Sequence, residues 1–228
     1  MKSIIDNKSV LLRARLANAM SVGGLLLLLA SLLLPYLRRG FELTASFLLL
    51  IGLFLAMVGI YLANRWVRKP RPEAVLDSEL KSLSDAYCLY HYRHKAADHI
   101  LLTPYSVIVL ETVNLEGRFI YKKGRWQEYM KFGRALRYIV EEHLGNPVKA
   151  ALSAQAYLQR QISNKVENGD AVPVKAVVVF THPRCILELE ETEIPVVKAA
   201  QLKRTISEKG AKMPTELYEK VKTFLDRP

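Results

Sequence analysis

The hydrophobic pattern divides the chain before any motif is sought. Residues 17–34, from Ala17 to Leu34, carry no charge and end at Pro35, and residues 44–63, from Thr44 to Ala63, are equally uncharged. Eighteen residues at about 1.5 Å each give roughly 27 Å, close to a hydrocarbon core, and a helix apolar on every face for that length rarely belongs to a soluble core. The pattern predicts a transmembrane helical hairpin with an N-terminal segment (1–16), two spans (17–34 and 44–63), a loop (35–43) and a linker (64–72). A cleavable signal peptide also starts basic and leucine-rich. Here, however, the apolar run exceeds a signal core, no small-x-small site follows it, and the second span comes nine residues later.

From residue 73 to 228 the pattern becomes that of an α/β domain with a mixed sheet flanked by helices. Leu76, Leu80 and Leu83 at i, i+4, i+7 mark a helix over Ala74 to Asp85, with Glu79 beside its apolar stripe. Ala86 to Tyr92, Asp98 to Leu102 and Val107 to Val113 read as strands, and Gly117 to Lys122 as the return arm of a hairpin through Asn114 to Gly117. Trp126 to His143 reads as loop and helix. Asn146-Pro147 is a helix start, an N-cap followed by proline at the first helical position, and Ala151, Leu158 and Ile162 form its buried side. Pro173 to Phe180, continuously apolar apart from Lys175, is the expected central strand. Short strands at Ile186 to Leu189 and Ile194 to Val197, then helices at Ala199 to Glu208 and Thr215 to Asp226, complete the order.

Charge changes the picture mainly by where it lies. Residues 1–71 hold ten Lys and Arg against Asp6 and Glu42, a net of +8, whereas residues 72–228 hold 23 basic and 20 acidic residues, a net of +3. The overall +11 is thus largely a membrane-flank signal and a weak argument for a nucleic-acid surface. The outer flanks carry Lys2, Lys8, Arg13 and Arg15 on one side and Arg65, Arg68, Lys69 and Arg71 on the other, against Arg38 and Arg39 in the loop. That asymmetry predicts a cell-membrane protein with both termini and the α/β domain in the cytoplasm. Small-xxx-small pairs, Gly52 with Ala56 and Gly59 with Ala63, would let the spans pack closely or let two chains associate. Cys88 and Cys185 have neither zinc-ligand nor disulfide-framework spacing and read as free thiols.

The candidate chemistry sits on two neighbouring strands, each with a carboxylate at one end: Asp98 and Glu111. Metal-assisted phosphodiester hydrolysis needs acidic ligands for a hard cation and a basic group that stabilises developing charge. Two strand-end carboxylates supply the first requirement. His91 and His94, interleaved with Tyr90 and Tyr92, would point to opposite faces of a strand and read as ordinary strand-end residues. The acidic run Glu188, Glu190, Glu191, Glu193 reads as a solvated edge that discourages sheet pairing.

Around those carboxylates the chain resembles the nuclease-related domain (NERD) family of the PD-(D/E)xK nuclease superfamily. The matching run is Asp98-His99-Ile100-Leu101-Leu102-Thr103-Pro104, then Val107 to Leu110, then Glu111-Thr112-Val113-Asn114 and Gly117. Trp126, Asn146-Pro147 and Val174 to Phe180 follow in family order, and the likeness spans residues 75–207. The resemblance implies a restriction-endonuclease-like fold, Asp98 and Glu111 as metal ligands and catalytic acids, Mg²⁺ as the ion of an active enzyme, and nucleic acid as partner; Glu79, the carboxylate beside the first helix's apolar stripe, is a further candidate from the helix pattern. Two departures stand against an unchanged mechanism. The family's catalytic lysine falls on Val113, and its glutamine three residues after Asn-Pro falls on Ala150. Losing one preorganised charge stabiliser commonly raises the barrier by about 3 kcal/mol. Lys149, Lys122 and Lys81 are candidate relocated bases, with Lys149 foremost, and Gln155 a candidate replacement for the glutamine. Three readings follow: a degenerate, membrane-anchored protein that binds or regulates nucleic acid; an active Mg²⁺-dependent nuclease with a relocated basic residue; and a tethered protein-interaction scaffold.

Overall fold

A computed structural model describes all residues except 38–39, 130–142, 208–210 and 228. Among the described residues two compact units emerge: one over Asn7–Arg71, and one formed by Met1–Asp6, Pro72–Tyr129 and Leu144–Arg227.

In the first unit, helices α1 (Asn7–Leu37) and α2 (Glu42–Trp66) pack as an antiparallel hairpin. Both are long and apolar enough to cross a membrane. Their outward surface is a belt of exposed Leu, Val, Ile and Phe, including Leu25, Leu29, Phe47 and Phe54, as lipid contact requires. Pro35 lies inside the last turn of α1, so the helix runs two residues past it. Glycine sets the helix spacing: a Cβ on Gly24 would lie 2.4 Å from the Ala56 backbone nitrogen, and one on Gly59 2.4 Å from that of Ser21. Gly52 faces the Leu28 backbone in the same way. The small faces of Gly52, Ala56 and Gly59 are therefore occupied within the hairpin, where close backbone approach maximises dispersion contact. This arrangement lends no support to their use between chains.

The second unit is a six-stranded mixed sheet in the order β1-β2-β3-β4-β7-β9, beside a three-stranded sheet β6-β5-β8. Its strands are β1 (Lys2–Ile5), β2 (Cys88–His94), β3 (Ala97–Leu102), β4 (Val107–Val113), β5 (Gly117–Lys122), β6 (Arg125–Tyr129), β7 (Val174–Phe180), β8 (Cys185–Leu189) and β9 (Val196–Lys198). The helices are α3 (Pro72–Leu80), α4 (Pro147–Lys165), α5 (Ala199–Thr205) and α6 (Thr215–Asp226). Alternation along the strands sorts the core into two layers. Leu89, Leu101, Ile108, Leu110, Val177 and Val179 meet Leu76 and Leu80 of α3 and Leu202 of α5. On the opposite face Ile100, Leu102, Val109, Val113, Val178 and Phe180 meet Val148, Ala151, Leu158 and Ile162 of α4 and Val221 and Leu225 of α6.

Several expectations change. The polar N-terminal segment contains β1, which pairs in parallel with β2, Ser3 opposite Leu89. The first helix of this unit ends at Leu80 rather than Asp85. Strand β5 is not the return arm of a hairpin with β4: β4 already has β3 and β7 as neighbours, and β5 joins the small sheet between β6 and β8. Trp126 lies in β6, and the helix expected in the following stretch falls on residues 130–142, outside the described residues. Glu188 and Glu190 do not deter pairing. They answer basic residues of β5, with Arg118 gripping Glu188 at 2.7 Å and Lys122 standing 4.0 Å from Glu190.

Candidate functional site

Strands β3 and β4 form an antiparallel ladder from Leu102–Val107 to Ile100–Val109. The Thr103–Ser106 turn closes one end, with Thr103 Oγ1 accepting from the amide nitrogens of Tyr105 (3.1 Å) and Ser106 (2.8 Å). Two residues beyond the ladder's open end come Asp98 on β3 and Glu111 on β4, half-buried and on the same face as Ile100 and Val109. They stand about 13 Å from the turn at roughly 3.3 Å per residue. The sequence-predicted pair is thus brought to one end and one face of the sheet.

The parity that sets Glu111 on that face also sets Val113 there. Strand β4 continues alongside β7, with Glu111 opposite Val178 and Val113 opposite Phe180. Val113 is 8% exposed within the cluster that includes Val148, Ala151 and Phe119. Trp126 and Phe119 tilt against Phe180 at 5.9 and 5.3 Å. The position that would hold a lysine belongs to the apolar core and stands opposite Phe180.

Helix α4 crosses between the parallel strands β4 and β7, so it runs antiparallel to them and starts at their carboxyl ends. Asn146 caps it, its side chain accepting from the Lys149 amide at 3.0 Å, with Pro147 following. Lys149 is exposed on this first turn, at the end of the sheet that carries Glu111. The other candidate bases lie elsewhere. Lys122 belongs to the small sheet and faces Glu190, and Lys81 is exposed beyond α3 on the opposite side of the large sheet. Gln155 donates to the Val174 carbonyl at 2.7 Å. Val174 pairs with Val107, four residues and roughly 13 Å from the level of Glu111, so Gln155 does not replace the missing glutamine. Glu79, half-buried on α3, is likewise on the other face from Asp98 and Glu111.

That other face holds a buried polar cluster that the reading of His91 as an ordinary strand-end residue missed. His91 and His99 are both fully buried, with Nδ1 atoms 2.7 Å apart, and His91 Nε2 lies 3.3 Å from Asp77 Oδ1. Burial pushes the Asp77 carboxyl up, but hydrogen bonds with His91 and Ser3 outweigh it and hold its pKa below the usual value. Tyr92 donates to buried Glu73 at 3.0 Å and sets its ring against His99. A β-bulge makes this possible. The β2–β3 register shifts between His91 and His94, and Tyr92 takes a left-handed φ of 58°. His94 does face the opposite side, its Nε2 2.8 Å from the Leu225 carbonyl. Tyr92 and Arg93 of the bulge stand across from Asp98. The sequence signal was available: Asp77 on the inner side of a helix opposite two odd-parity strand histidines.

As a donor set, two carboxylates are the chemistry of a hard cation that keeps water and substrate oxygens, rather than of a cage made by protein alone. Among the described residues no three His, Cys, Asp or Glu side chains gather for a metal. The nuclease-related domain model matches residues 66–181, half of the chain, and takes in Asp98, Glu111, Val113 and the start of α4. The chain belongs to the nuclease-related domain family. No curated protein and no solved structure matches it. The mixed sheet flanked by helices agrees with the nuclease-like α/β fold expected of a NERD protein.

Proposed function

We propose that this chain is a membrane-anchored NERD protein whose hydrolytic site is degenerate and whose α/β unit binds nucleic acid at the cytoplasmic membrane face. The observation that carries the reading is Val113. It occupies the lysine position and lies buried in an apolar cluster, so β4 itself supplies no ammonium at the lysine position two residues after Glu111. A transition state that accumulates charge on phosphate oxygens loses its preorganised partner there. Mg²⁺ would be held by Asp98 and Glu111, and would supply charge neutralisation to a bound phosphate rather than a full catalytic set.

The location rests on the two apolar helices, the basic flanks at both ends of the hairpin, and connectivity. Strand β1 before the hairpin and helix α3 after it both belong to the α/β unit, which supports placing both ends of the hairpin on one side. Lys149, exposed on the first turn of α4 at the Glu111 end of the sheet, favours a second reading, an active Mg²⁺-dependent nuclease with Lys149 as relocated base.

Full-length protein in lipid nanodiscs, incubated with Mg²⁺ and linear DNA or RNA, is expected to retain the nucleic acid and leave it intact. Cleavage that disappears in Asp98→Ala and in Glu111→Ala would establish the active enzyme instead, and its loss in Lys149→Ala would identify the base. Neither binding nor cleavage would leave the interaction scaffold.

A further inference from the structure

An open groove of about 1160 Å³ lies between α4 and α6 on the Asp98 face of the sheet, and the hydrolytic site does not account for it. Arg93, His94, Lys95 and Ala96 of the β2–β3 turn line one end together with Arg227, and Lys165 lies over the Phe224 ring at 6.0 Å. Glu167 and Glu216 mark the other end, where both clasp Lys220 at 2.7 Å. Glu219, also on the lining, pairs with Lys222 at 3.5 Å, so each groove carboxylate is engaged by a lysine. Lys95, Lys165 and Arg227 form no ion pair among the described residues, and the buried Nε of Arg93 has no hydrogen-bond partner there, although its Nη2 donates to the Asp226 carbonyl. Cations held apart from their counter-charges along a groove are the electrostatic pattern of a polyanion site.

Two features select among polyanions. Tyr157 is 46% exposed on the groove wall, and Phe224 lies in the floor beside His94, ring centroids 5.5 Å apart. An exposed ring set among phosphate-binding cations suits unpaired bases, because every base offers a face to stack. The groove also leads to the candidate site. Ala96 on its lip is two residues, about 7 Å, from Asp98, and Arg93 belongs to the bulge across from Asp98.

We propose that the α4–α6 groove binds single-stranded nucleic acid, with Lys95, Lys165, Arg227 and Arg93 on the phosphates and Tyr157 stacking on a base, and directs the strand toward Asp98 and Glu111. The proposal rests on the nucleic-acid reading of the chain and names the surface and strand type it uses.

The test is fluorescence anisotropy of a labelled oligothymidylate on full-length protein in phosphatidylcholine nanodiscs over a salt series. Lys95→Glu combined with Arg227→Glu is expected to weaken binding at least about tenfold and flatten the salt dependence. Tyr157→Ala is expected to weaken it about fivefold with the salt slope unchanged. Lys95→Arg, which keeps the charge, is expected to bind as wild type, and unchanged thermal unfolding of each variant separates binding from folding. If wild type binds no oligonucleotide, the proposed function falls and the groove with it. If wild type binds and the charge reversals bind equally well, the groove assignment alone falls. Equal affinity for duplex, or an unaffected Tyr157→Ala, overturns the single-strand assignment. A groove lysine shielded from amine labelling by phosphatidylserine nanodiscs but not by oligonucleotide would assign the groove to a lipid surface and overturn the proposal.

Discussion

Val113 shows how one side chain decides what a strand end can do. A lysine there would place an ammonium in the apolar core opposite Phe180, with Glu111 two residues away on the same face as its nearest charge partner in sequence. Val113→Lys is expected to lower stability by roughly 2 kcal/mol, the scale of burying a poorly paired charge. It is also expected to raise Mg²⁺-dependent cleavage above the wild-type background. Thermal unfolding and a gel-based nuclease assay check the two halves separately, and a stable variant with no gain would place a further loss in the pocket. His99 offers a second test. His99→Ala removes the hydrogen-bond partner of His91 Nδ1 inside a fully buried cluster, and chemical denaturation is expected to show a loss of about 1–3 kcal/mol.

Elements divide into those that sequence announces and those that it conceals. Helix α4 carried its own start signal: Asn146 accepts the Lys149 amide and Pro147 follows it. Asn146→Ala is expected to cost about 1 kcal/mol in denaturant unfolding, without the loss of nucleic-acid binding expected of the groove variants. Strands β3, β4 and β7 were equally legible, because apolar runs bounded by turn residues need only local chemistry. Strand β5 was legible as a strand but not in its partners. Its neighbour β8 lies some 68 residues on, Gly117 opposite Cys185, and no local signal specifies that pairing. Strand β1 was hidden for a related reason: four residues, Lys2–Ile5, acquire a strand conformation by extending an existing sheet edge. In the hairpin, Gly24→Val would force a side chain into the Ala56 backbone. Splayed helices and markedly faster proteolysis in detergent are expected, whereas Gly23→Val, with open space around it, is expected to be silent.

At the scale of the whole molecule, acid should weaken the α/β unit in two steps. Burial lowers the His94 pKa, against a hydrogen bond to the Leu225 carbonyl, so the folded chain favours the neutral ring. The unfolded chain therefore binds the proton more readily. Stability is present above the ordinary histidine value and lost as pH falls below it toward the folded value. Asp77, depressed in the folded state, contributes stability above the ordinary aspartate value that is lost as pH falls through its folded pKa. Melting temperatures from pH 7 downward are expected to decline first near the histidine range and again in the aspartate range. His94→Gln is expected to flatten the first decline, and Asp77→Asn the second.

What sequence alone determined was whatever local chemistry specifies: two long apolar helices, the strand and helix periods, the cap of α4, and the motif that sets Asp98, Glu111 and Val113 on neighbouring strands of a nuclease-related domain. Tertiary structure decided what depends on parity and distant partners. It set Asp98, Glu111 and Val113 on one face and Glu79 and Lys81 on the other, turned Gln155 toward Val174, buried His91 against His99, and gathered Arg93, Lys95, Lys165 and Arg227 around one groove. The physical reason is that a side chain's period is written in its neighbours along the chain, whereas its company is fixed by pairings between strands and helices far apart in sequence.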